Sequence, residues 1–190
     1  MHGEARMELV WPNAACLPSY AQALARGWSS DSSRPQAAGE QLARIEADPE
    51  AFLASLVLLK PGGETILLPD GSRVPRIPGY HRWMWDGEFC GTIGLRWQPG
   101  TQELPPHCLG HIGYGVVPWK QQRGYATRAL ALLLPEAKAQ GLSFVEITTD
   151  PTNVASRRVI EANGGVLFEH FTKPARFGGV PGVRYRISLP

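Results

Sequence analysis

Apolar residues recur at helical spacing through Leu17-Pro18-Ser19-Tyr20-Ala21-Gln22-Ala23-Leu24-Ala25, with a proline suited to the first turn. The serines, aspartate and proline of 27–35 break that period, and a second helix is predicted over 39–47. A third starts at Asp48-Pro49-Glu50, where aspartate caps and proline fits the first helical position. The zone 1–59 therefore reads as helical. Residues 60–80 are rich in glycine and proline and read as loop, with a short hairpin around Asp70-Gly71. From His81 onward the texture changes. Arg82–Trp85 and Gly91–Trp97 flank Asp86-Gly87 as an antiparallel hairpin, and Gly110–Val117 is a third strand stopped by Pro118. A helix follows over 124–140, with Ala126, Leu130, Leu133, Leu134 and Ala137 on one face and Gly141 at its end. Pro135 inside it predicts a bend or an interruption. Phe144–Thr149 is a strand, 154–162 a helix ended by Asn163-Gly164-Gly165, and Val166–Phe171 and Arg184–Leu189 are the last strands.

This order predicts a single α/β domain over 1–190, with one mixed sheet covered by helices. At 190 residues and 43% hydrophobic content the chain has the means to bury one good core. A formal net charge of +2 gives no argument for nucleic acid or an anionic membrane as partner. No apolar run approaches the roughly 20 residues that span a bilayer, and Met1–Arg6 lacks the pattern of a secretory signal. Cys16, Cys90 and Cys108 are widely spaced and form neither a disulfide framework nor a CxxC metal pair, so reduced thiols in the cytoplasm and no metal are expected.

Chemistry concentrates where the third strand feeds Pro118-Trp119-Lys120-Gln121-Gln122-Arg123-Gly124-Tyr125-Ala126-Thr127 and then a helix. A tight turn into a helix start aims unpaired backbone N–H groups at one spot, which suits a pyrophosphate. Gly124 and Ala126 leave room for a phosphate to approach the backbone, and Lys120, Arg123 and Arg128 place cations nearby. The P-loop and the dinucleotide fingerprint both fail here, since neither Gly-Lys-Ser/Thr nor three spaced glycines are present.

Gln121-x-x-Gly124-x-Ala126 at this turn resembles the coenzyme A signature of the GNAT superfamily of N-acetyltransferases. Asp150-Pro151-Thr152-Asn153-Val154-Ala155-Ser156, opening the next helix, resembles the family's second cofactor element. The resemblance runs from about 82 to 189. The strand Gly110–Tyr114 and the helix end Ile160–Gly165 are similar to a bacterial group of acetyltransferases of unassigned substrate. It implies a central mixed, mostly antiparallel sheet with a splayed parallel strand pair, flanked by helices. It implies acetyl transfer from acetyl-CoA to a small-molecule or peptide amine through a ternary complex, with homodimers common in the family. Gln121, Gln122, Arg123, Gly124, Tyr125, Ala126 and Thr127 would hold the cofactor with Asn153 and Ser156. The strand backbone would take the pantetheine arm, and an N–H near Val116 or Val117 would stabilise the tetrahedral oxyanion. A non-catalytic acyl-CoA sensor or interaction module of the same fold is the alternative.

Individual side chains carry competing readings. Asn153 either holds the pantetheine arm or caps its helix. The family often places a proton-donating tyrosine seven residues after this asparagine, but here that position is Ile160, and family members lacking the tyrosine point to Ser156 instead. His111 lies near where relatives carry a glutamate and is either the general base or a sheet histidine. Glu88, Glu103, His107 and Glu146 are weaker candidates. Trp83, Trp85, Trp97 and Trp119 line either an acceptor pocket or the core.

Overall fold

At Asp48 the chain changes direction with a local cap. Its carboxylate accepts the Ala51 N–H at 2.9 Å and Pro49 opens the helix, so α3 (Pro49–Ser55) starts where the sequence predicted. The computed structural model describes residues 6–31, 34, 36–62, 65–67 and 71–190. Before α3 come β1 (Glu8–Val10), α1 (Leu17–Ala25) and α2 (Ala37–Ala47). After it come β2 (Val57–Leu58), β3 (Thr65–Leu67), β4 (Arg73–Pro75), β5 (Gly79–Trp85), β6 (Phe89–Arg96) and β7 (Ile112–Val116). The last third is α4 (Tyr125–Ala139), β8 (Phe144–Thr149), α5 (Val154–Glu161), β9 (Val166–Thr172) and β10 (Pro181–Ser188).

The strands form a sheet of order β1-β5-β6-β7 with β2 also on β5, a second of order β8-β10-β9, and the hairpin β3-β4. The α/β class and mixed helix–strand order are as expected, with the strands hydrogen-bonded in separate ladders. The predicted loop 60–80 holds the β3–β4 hairpin, whose strands pair antiparallel from Thr65↔Pro75 to Leu67↔Arg73. Asp70 itself lies outside the described residues. The helical reading of the first zone missed β1 and β2, strands of three and two residues that pair with β5. Pro135 leaves α4 uninterrupted. It stands on the exposed side, where water can take up the carbonyl that loses its N–H partner.

The described residues group into two units. The first comprises the stretch ending at Val57 with Tyr80–Gly94 and Tyr114–Ala129; the second comprises Leu58–Gly79, Leu95–Gly113 and Leu130–Pro190. The core of the first is aromatic. Tyr20 of α1 stacks on Trp83 at 4.7 Å between centroids and meets Phe89 edge-on at 4.9 Å. Trp83 is thus core, and Trp85 and Trp119 pack against the same cluster. In the second unit β8 alternates as the pleat demands: Val145, Ile147 and Thr149 are buried, while Phe144, Glu146 and Thr148 share the other face. Tyr185 of β10 pins α5 to the sheet, since its hydroxyl accepts from Arg157 Nε at 2.8 Å and donates to Glu161 Oε1 at 2.7 Å.

Candidate functional site

Strand β7 ends at Val116, Pro118–Lys120 forms a single 3₁₀ turn, and the exposed loop 121–124 leads into α4. Two of its residues are left-handed. Gly124 has φ 73°, and Gln122, with φ 61°, is the one non-glycine residue of positive φ among the described residues. A left-handed side-chain residue is unfavourable unless its surroundings hold it there, and such outliers gather at functional sites. The Gly124 carbonyl accepts the first intrahelical bond, from Arg128 N at 3.0 Å. Tyr125, Ala126 and Thr127 are therefore the first helical residues, at the end of α4 where backbone N–H groups point out of the helix. A Cβ built on Gly124 would have nothing within 4 Å. Open space at Gly124, the residue that leads into the helix start, fits the approach of a pyrophosphate.

The cations expected here are mostly engaged elsewhere. Lys120 is buried, with Nζ at 3.0 and 2.9 Å from the two Asp86 oxygens and 2.7 Å from Glu88 Oε1. Arg128 Nε donates to the Met7 carbonyl at 2.6 Å. Arg123 stays exposed. Tyr125 donates its hydroxyl to Asp86 Oδ2 at 2.6 Å. Burial alone would raise the Asp86 carboxyl, but the hydrogen bonds from Tyr125 and Lys120 and the Lys120 charge outweigh it, leaving its pKa below the ordinary value. Burial, together with Asp86, pushes the Cys90 thiol up to about 12. Asp86 is the residue that sequence reasoning missed. Asp86-Gly87 was legible as a turn, and its partners lie 34 and 39 positions away.

Backbone groups on β7 are sorted by strand parity. Arg96 N donates to His111 O at 2.9 Å, and Val117 N donates to Cys90 O at 2.9 Å. Both pairs fit one antiparallel register, so odd-numbered β7 residues bond to β6 and the N–H of Val116 points away from it. Of the two expected oxyanion donors, Val117 is already satisfied and Val116 is not engaged by β6. Gln121 Nε2 donates to the Val116 carbonyl at 3.3 Å, which ties the loop to the strand end.

In the second unit, Asn153 Oδ1 accepts the Ser156 N–H at 3.0 Å, so Asn153 does cap α5. The cap uses its oxygen, and the side chain is exposed with its NH₂ group on the same amide. Ser156 is half-buried on the first turn of α5. Ile160 is fully buried, and a Cβ on Gly165 would meet its Cγ2 at 2.3 Å, so the position where the resemblance would place a tyrosine is core in this chain.

The surroundings of His111 bear on its two readings, base and sheet histidine. The ring is buried, Nδ1 accepts the Glu146 N–H at 2.9 Å, and the His111 N–H donates to Glu146 O at 2.7 Å. The chain presses so close to β8 that a Cβ on the preceding Gly110 would sit 2.9 Å from Glu146 O. With Nδ1 accepting, the neutral ring carries its proton on Nε2 and has no lone pair left for a substrate. This arrangement favours the sheet-histidine reading over the base. Burial lowers the His111 pKa; Glu146 opposes that, and Arg96 and Arg186 add to it. The sign follows by linkage. The unfolded chain takes up a proton first as pH falls, so the histidine's contribution is full above about pH 6.5 and is lost below it. His111→Ala is expected to cost about 2–4 kcal/mol at pH 7.5, from the cavity and the orphaned Glu146 N–H. The gap should narrow at pH 5.5 in urea titrations. An equal gap at both pH values would mean that His111 is not held neutral.

The other candidate bases are accounted for as follows. Glu146 pairs with Arg186 at 2.7 Å and Arg184 at 3.6 Å, and Glu88 with Lys120. Burial and Arg176 lower the His107 pKa. Glu103 is exposed.

Residues 73–166 match the family model of the acetyltransferase (GNAT) domain. No curated protein sequence matches the chain. Among solved structures, the microcin C7 self-immunity acetyltransferase MccE in complex with acetyl-CoA and AMP is similar at TM-score 0.64 and 12% identity, over 96% of this chain and 92% of that one. RimL, the ribosomal L7/L12 α-N-protein acetyltransferase with coenzyme A, gives 0.64 and 15% over 96% and 94%. The Salmonella typhimurium acetyl transferase that modifies the N-terminal serine of L7/L12 gives 0.63 and 13% over 97% and 95%. At these identities the likeness is one of fold.

Proposed function

The chain belongs to the GNAT acetyltransferases, and from that premise we propose that it transfers an acetyl group from acetyl-CoA to an amine by direct attack in a ternary complex. The observation that carries the reading is the exposed loop 121–124, with its left-handed Gln122 and Gly124 opening onto the start of α4. In this reading the N–H groups from Gln122 to Thr127 hold the pyrophosphate. The Asn153 amide holds the pantetheine arm, and the Val116 N–H stabilises the oxyanion. Ser156 relays a proton from water to the departing thiolate and so ends as the hydroxyl, while a second water takes the ammonium proton in place of His111. The acceptor is a small-molecule or peptide amine. Three free thiols, Cys16, Cys90 and Cys108, suit the reducing cytoplasm, and a homodimer is the proposed assembly. No helix among the described residues is long and apolar enough to cross a membrane.

Acetyl-CoA at 100 times its dissociation constant is expected to stabilise the protein by about 2.7 kcal/mol, roughly 5–10 °C in Tm for a chain of this size. ATP and NAD at equal concentration should do much less. No binding of CoA at millimolar concentration in calorimetry would sink the reading. Thiol release from acetyl-CoA with a panel of amines separates the enzyme from a non-catalytic acyl-CoA module, which would bind and not turn over.

A further inference from the structure

We propose that Asp86 is the positioning residue of the cofactor loop, its one carboxylate gripping Lys120 just before residues 121–124 and Tyr125 just after them. The inference rests on the reading that this loop binds the CoA pyrophosphate. Asp86 belongs to the β5–β6 turn, where its N–H bonds to Glu88 O. Its Oδ1 takes Lys120 Nζ at 3.0 Å, and its Oδ2 takes Lys120 Nζ at 2.9 Å and the Tyr125 hydroxyl at 2.6 Å. The Lys120 and Asp86 side chains are only 10% and 8% exposed, so solvent screens this pair weakly. Glu88, the second partner of Lys120, is 55% exposed and lies at the rim.

This geometry assigns Lys120 a role other than phosphate binding. Its three N–H donors face Asp86 and Glu88, and a charge neutralised by two carboxylates has little left for an anion. What the clamp does instead is fix both ends of a four-residue loop whose interior holds the unfavourable left-handed Gln122. Closing the loop in advance removes ordering entropy that a ligand would otherwise oppose on binding. It also over-determines the backbone at Gln122, the condition under which such an outlier persists. The backbone N–H groups are thereby presented to a phosphate before it arrives.

The test is calorimetry with CoA on the wild type, Tyr125→Phe and Asp86→Asn, with urea titrations of all three. Tyr125→Phe removes one hydroxyl and leaves the Lys120 pair. It should stay folded and raise the CoA dissociation constant about fivefold. Asp86→Asn should raise it about tenfold or more, because both anchors weaken. A purely structural salt bridge would lower the urea midpoint and leave the affinity of the folded protein unchanged. Should Asp86→Asn fail to fold, Tyr125→Phe decides alone. Wild-type affinity in folded Tyr125→Phe overturns the proposal while the CoA reading stands. Absence of CoA binding in the wild type removes the reading itself.

Discussion

Gly124→Val is expected to weaken CoA binding by about 10²-fold in a protein that still folds. Two effects act together. At φ 73° valine, branched at Cβ, is strained whatever space surrounds it. Its added atoms also occupy the open volume in front of the loop, where a Cβ on residue 124 has no neighbour within 4 Å and where the pyrophosphate would stand. Losing two charge-assisted hydrogen bonds at about 1.5 kcal/mol each gives about 3 kcal/mol, which is about 10²-fold in dissociation constant. Gly124→Asn separates the two effects, since asparagine tolerates the left-handed region better than valine but still fills the space. Calorimetry with CoA on both variants reads the result. Unchanged affinity in a folded Gly124→Val protein would put the phosphate elsewhere.

The features legible in the sequence are those whose cause is local. Asp48-Pro49 announces α3 because cap and first-turn proline are adjacent, and the turn at Asp86-Gly87 announces the β5–β6 hairpin in the same way. Asn153 three residues before Ser156, and the left-handed Gly164 after α5, bound that helix by neighbours alone. The loop 121–124 stands out because a strand stop, a glycine and a helix start follow one another.

What stayed hidden depends on partners far along the chain. β1 and β2 are too short to show alternation, and β1 exists by pairing with β5 more than 70 positions later: Glu8 faces Trp85 and Val10 faces Trp83. Lys120 reads as a phosphate-binding cation until Asp86 and Glu88, over 30 residues earlier, are seen around it. His111 keeps two readings, base and sheet residue, because the group that decides, the Glu146 N–H, is 35 residues away. Strand parity sorts alternate residues such as His111 and Tyr114 onto opposite sides, but it carries no information about what each side meets. Val117 was indistinguishable from Val116 until the Val117 N–H was found on Cys90. Charge and burial at this site are thus tertiary properties, and only the loop's shape is written locally.

Ser156→Ala is expected to lower kcat by about 10²-fold while leaving CoA affinity near the wild-type value, if Ser156 is the principal acid. Ile160 cannot donate a proton and is sealed in the core, so the donor must come from elsewhere. Ser156 occupies the first turn of α5 with its backbone fixed by the Asn153 oxygen at 3.0 Å. Alanine keeps that N–H and is a good helix former, so only the hydroxyl is lost. The departing thiol has an ordinary pKa of about 8.5, which makes the thiolate a tolerable leaving group and caps the benefit of an acid. A loss well below 10²-fold therefore means that water protonates the thiolate adequately. Once an acceptor is known, kcat and the CoA dissociation constant of the variant decide between the roles. Wild-type turnover ends the assignment, and weakened CoA binding at unchanged kcat moves Ser156 to holding the cofactor.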